Sequence, residues 1–141
     1  MVHDDAAWRR FGPDSAERAA LLALSDALGV TLRPRALELR PGTMFEVEGV
    51  DADGRYLFQV VVNRGGYTSQ QRNKVLADMF KLLWLRETRF PDAQVGLVLS
   101  ESTAEAFRPR SWTSLAAREL GFTLFVVTAD GRVAKIASDE A

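Results

Sequence analysis

Apolar residues recur along this chain with two spacings, three-to-four and two, and the changes between them mark its elements. From Glu17 the run ERAALLALSDALG sets Leu21, Leu24 and Leu28 on one face and stops at Gly29. That spacing predicts an amphipathic helix closed by a glycine cap. Asp14 stands three residues before Glu17, the spacing of a capping box, and is the expected N-cap. Val30 to Leu32 and Ala36 to Arg40 read as extended, with a turn at Pro41-Gly42. Met44 to Asp51 and Arg55 to Asn63 form a hairpin around Asp53-Gly54. Its second strand, YLFQVVVN, is almost continuously apolar, as expected of a central strand covered on both faces.

Arg64-Gly65-Gly66 ends that strand, and Ser69 is the expected cap of a helix reaching Arg86 or Glu87. Val75, Leu76, Met79, Phe80, Leu82 and Leu83 make its predicted buried face, with Gln71, Lys74, Asp78 and Lys81 opposite. VGLVLS is a further buried strand. A short helix then runs from Ser102 or Thr103 to Phe107, and Ser111 caps another, WTSLAAREL, ended by Gly121. FTLFVVT is the last core strand, and Asp130-Gly131 turns into an edge strand, RVAKIA. A hairpin that feeds βαβ units predicts an α/β fold of three αβα layers around a mixed central sheet.

Composition narrows the classes. The 141 residues make one domain, with 1–13 a loosely ordered lead-in and 137–141 a polar tail. Cysteine is absent, which excludes disulfides and thiolate metal sites. No apolar run approaches the roughly 20 residues that span a bilayer, and the N-terminus lacks a signal-peptide core, so a cytoplasmic protein is expected. Eighteen basic and nineteen acidic residues leave a net charge of −1, which argues against binding nucleic acid by bulk charge alone.

Candidate chemistry centres on the hairpin. Glu46 and Glu48 lie two apart on one strand and are expected on one face. They form either a solvated edge or a carboxylate pair needing compensation, for which Mg²⁺ or Mn²⁺ is suited. Counting back from the Asp53-Gly54 turn puts Gln59 opposite Glu48, where it orients a water, pairs with a carboxylate or satisfies a backbone group. Asp51 and Asp53 read as turn residues. Lys74, Asp78 and Lys81 make one helical stripe, read either as a solvated ion-paired face or as neighbours of the hairpin's polar groups. Arg108 and Arg110 precede the Ser111-capped helix and, with Arg64, are candidate phosphate contacts; Trp112 either stacks on a base or packs on the sheet. The single histidine, His3, lies in the lead-in, which argues against a histidine-based triad or a zinc site, and no phosphate-loop motif is present.

The helix–hairpin–helix–strand order, with Glu48 on the middle strand, resembles the PD-(D/E)XK, or restriction-endonuclease-like, superfamily. The resemblance implies a nuclease fold in which an acid and a D/E-x-K tripeptide hold magnesium and activate water. Carried over, Glu48 matches the first acid, while Gln59-Val60-Val61 stands where the tripeptide belongs, without its second carboxylate and lysine. The family tolerates migration of these groups to the next helix, where Lys74 and Asp78 are available. The pieces EVEGV, Q-x-x-KV-x-x-D-x-x-KL and F-R-x-R-SW also resemble a set of uncharacterised bacterial proteins. Three functions are compatible with this. One is a degenerate nuclease-like domain that binds DNA, RNA or protein. The second is an active Mg²⁺- or Mn²⁺-dependent nuclease using Glu46, Glu48, Gln59 and Lys74. The third is a homo-oligomeric interaction protein, a homodimer being one form, with no nucleic-acid role.

Overall fold

The computed structural model describes residues 7–136; the polar tail and His3 lie outside them. Its elements run α1 (Ala16–Leu28), β1 (Arg33–Arg40), β2 (Thr43–Val50), β3 (Tyr56–Val61), α2 (Ser69–Thr88), β4 (Gln94–Leu99), a 3-10 helix (Thr103–Phe107), α3 (Trp112–Glu119), β5 (Thr123–Val127) and β6 (Val133–Lys135). The six strands lie in chain order in one mixed sheet. β1, β2 and β3 form an antiparallel meander, β3, β4 and β5 are parallel, and β6 returns antiparallel at the far edge.

Each face of the sheet has its own core. On one, Ala20, Leu21 and Leu24 of α1 pack with Phe58, Val60, Val98 and Phe125. On the other, Val75, Met79, Leu82 and Leu85 of α2 pack with Leu57, Val61, Val95, Leu97 and Leu124, joined by Phe107 and by Ala117 of α3. Helices therefore cover both faces, giving the αβα layering. The near-continuous apolar strands β3 and β4 are buried on both sides because each face has a helix to cover.

Several boundaries differ from those expected. Ser15 rather than Asp14 caps α1, its hydroxyl accepting from Arg18 N–H, so no capping box forms with Glu17. Gly29 closes the helix at φ 72°, as its position suggested. Thr68 rather than Ser69 caps α2, in a reciprocal capping box with Gln71. β1 starts earlier than expected, at Arg33. Part of the lead-in packs on the domain. Phe11 is buried in the α1-side core, Trp8 packs against that core, and the Arg18 guanidinium lies 4.8 Å from the Trp8 ring centroid. Its aromatic residues, spaced three apart, bind the segment to the domain.

Candidate functional site

Regular pairing between β2 and β3 covers Gly49 with Phe58 and Val50 with Leu57. Continued by one step, the register sets Glu48 opposite Gln59, as the turn count predicts. There side chains take over from the backbone ladder. Gln59 Oε1 accepts from Glu48 N–H at 2.8 Å, and Glu48 Oε1 accepts from Val60 N–H at 2.8 Å. The two strands are joined past this point by inserted side chains.

A β-bulge helps to aim Glu48 into that gap. Val47 to Val50 of β2 oppose Arg33 to Arg35 of β1, one residue more on β2 than on its partner. Val47 and Val50 consequently both join the α2-side core, although strict alternation would send them to opposite faces. Glu46 and Glu48 both reach the guanidinium of Arg10, but they are not equivalent in burial. Glu48 is 2% exposed, whereas the Glu46 side chain is 37% exposed.

α2 supplies the next groups. Lys74 Nζ lies 2.6 Å from Asp78 Oδ2, 3.0 Å from the Val60 carbonyl oxygen and 3.4 Å from Glu48 Oε1. Gln59 Nε2 donates to Asp78 Oδ1 at 3.3 Å, and Lys81 stands 3.9 Å from the same carboxyl group. Asp78, at the centre of the Lys74–Asp78–Lys81 stripe, therefore faces the hairpin and is buried as deeply as Glu48, while the two lysine side chains stay partly in solvent. Phe80, expected in the core, is 73% exposed, because the helix turns its polar stripe partly inward.

Arg10 closes the cluster from the N-terminal segment. Its guanidinium donates to Glu48 Oε2 through Nε at 3.1 Å, with a second nitrogen at 3.0 Å, and to Glu46 Oε1 at 3.1 Å. Three carboxylates, Glu46, Glu48 and Asp78, thus meet three cations, Arg10, Lys74 and Lys81. Burying Glu48 and Asp78 is tolerable because each is paired and hydrogen-bonded. Sequence reasoning missed Arg10. The available signal was its place between Trp8 and Phe11, two aromatic residues that bring the segment onto the domain.

Glu48 and Gln59 face each other as the turn count suggested, and Lys74 joins them, one of the two readings open for its stripe, yet this arrangement does not fit a divalent metal ion. Both oxygens of Glu48 already accept from protein donors, and the facing position holds a neutral amide. Gln59 suits its place because it accepts from Glu48 N–H while donating to Asp78. A carboxylate there would oppose Asp78 with like charge. Among the described residues no group of three or more histidine, aspartate or glutamate side chains is arranged to hold a metal ion.

The remaining candidates lie elsewhere. Asp51 is the turn residue expected, its Oδ1 accepting from the N–H groups of Arg55 at 2.8 Å and Tyr56 at 2.9 Å. Arg64 sits in the loop after β3 and donates to the Asp14 carbonyl oxygen at 3.2 Å. Arg108 and Arg110 flank Pro109 on the exposed connection into α3, with Arg110 at φ 71°. Burial raises the Tyr67 phenol above its ordinary value, with Arg72 opposing, Glu105 reinforcing and Arg108 opposing. Arg108 therefore belongs to the neighbourhood where the chain enters α2. Trp112 is 68% exposed and does not pack on the sheet. No helix among the described residues is long and apolar enough to cross a membrane.

No protein-family model, curated protein or solved structure matches this chain.

Proposed function

We propose that the chain is a restriction-endonuclease-like domain with a degenerate active site, acting as a nucleic-acid-associated or protein-binding module. The observation that carries this reading is the state of Glu48. It stands on the middle strand, where the superfamily keeps an acid, but Arg10, Lys74 and Val60 N–H already hold its carboxylate. Gln59 supplies an amide in place of a second acid. Nucleic-acid contact would draw on the exposed Arg64 and Arg108 with Arg110; protein binding would draw on the exposed Phe80 and Trp112.

Convergence of Lys74 on Glu48 favours a second reading, a Mg²⁺- or Mn²⁺-dependent nuclease using Glu46, Glu48, Gln59 and Lys74. It requires Arg10 or Lys74 to release Glu48. Calorimetric titration of Mn²⁺ into the wild type, Glu48→Ala and Gln59→Glu separates the two. The degenerate reading expects no binding to the wild type and new binding to Gln59→Glu, where an acidic trio with Glu48 and Asp78 is restored. Wild-type binding that Glu48→Ala abolishes would replace it with the nuclease reading. Silence in all three proteins would remove the metal-site ancestry on which both rest.

A further inference from the structure

The carboxyl-terminal ends of the parallel strands β3, β4 and β5 open into a cleft of about 600 Å³ against the first turns of α1. None of its lining residues belongs to the Glu48 cluster. Its apolar wall is made by Ala16 and Ala20 of α1 with Val62 and Val127, and small side chains on the helix leave the space open. The polar lining is Asn63, Arg64, Ser100, Glu101, Ser102 and Thr128, with Arg64 its one cation and Glu101 its one carboxylate. A cleft of several hundred Å³, largely apolar with a few placed polar groups, has the size and make-up of small-molecule sites.

The polar side is built and held. Asn63 folds the loop over itself, accepting from Gly65 N–H at 3.1 Å and donating to the Gly66 carbonyl oxygen at 2.7 Å. The loop after β4 anchors the same residue: Ser100 Oγ accepts from Asn63 N–H at 3.0 Å, and Ser102 Oγ donates to its carbonyl oxygen at 3.3 Å. Arg64 therefore projects from a loop fixed at both ends. One nitrogen of its guanidinium reaches the Asp14 carbonyl just before α1, so the side chain bridges the loop and the helix across the cleft. A guanidinium offers five N–H donors in a planar fork suited to carboxylate or phosphate, and this one has most of them to spare.

We infer that this cleft binds a small organic anion, with its carboxylate or phosphate on Arg64 and a compact apolar body against Ala20, Val62 and Val127. The inference is independent of the nuclease-like reading, since the Glu48 cluster takes no part in it. Amide chemical shifts of the full chain, titrated with benzoate, adenosine 5′-monophosphate and neutral adenosine, test it. Saturable shifts confined to Gly65, Gly66, Ser100 and Thr128 are expected with an anionic probe and not with adenosine; whether benzoate or the nucleotide binds distinguishes the two anion sources. Arg64→Leu should weaken that binding at least tenfold, and Ala16→Trp, which fills the cleft, should abolish it while the spectrum elsewhere stays folded. Equal response to adenosine, shifts centred on Arg108 and Arg110 instead, or no saturable shift with either anion would each overturn it.

Discussion

Glu48 has almost no contact with water and yet makes four polar contacts, to Val60 N–H, Lys74, Arg10 and, through its own N–H, Gln59. Removing one cation leaves a buried carboxylate short of a partner, and such losses destabilise by about 3–5 kcal/mol when both groups are buried. Lys74 is 41% exposed, so water would compensate in part. Lys74→Met is expected to lower unfolding stability by about 2–3 kcal/mol in urea titration. A loss below about 0.5 kcal/mol would show that solvent already screens Glu48 and Asp78. The facing of Glu48 and Gln59 was legible in the sequence, because turn length sets hairpin register. Arg10 was not, because it reaches the site through tertiary packing of a segment without regular structure. The burial of Asp78 was hidden too: a carboxylate between two lysines on a helix reads as surface until the hairpin beside it is known to be polar.

Among the elements, β4 shows how closely the sheet and its neighbours approach. A Cβ added at Gly96 would press on the Thr123 carbonyl oxygen of β5 and come within 2.6 Å of the Phe58 ring. Neither can move freely, one being backbone in a paired strand and the other buried. Gly96→Ala should therefore cost about 3 kcal/mol, at the upper end of overpacking losses, as read by chemical unfolding. The strands β3, β4 and β5 were legible because long apolar runs between turn signals leave few alternatives. Helix starts were less so. Asp14 and Ser15, and likewise Thr68 and Ser69, are adjacent residues that can each cap, and the local sequence does not choose between them. The outward turn of Phe80 followed the same logic as Asp78, since one helix cannot present both its whole apolar arc and its polar stripe to the sheet.

Across the whole molecule, the sheet is unevenly joined. β3, β4 and β5 share long parallel ladders, whereas β2 meets β3 through two paired residues and then through side chains. Local openings follow the weakest backbone pairing. Amides of β1 and the outer half of β2 are thus expected to exchange with deuterium well before those of β3, β4 and β5. Uniform protection across all five strands, followed by mass spectrometry, would count against that hierarchy.

The inserted side chains also bear on how the meander finds its alignment. A slip of two residues keeps apolar positions on their faces, so hydrophobic patterning alone resists it weakly. The exchange between Glu48 and Gln59 closes only when these two residues stand opposite each other, and the α2 groups reward that arrangement alone. A misaligned hairpin would strand a carboxylate in the interior. The charges thus act as a proofreading device for the sheet, whatever the protein goes on to bind.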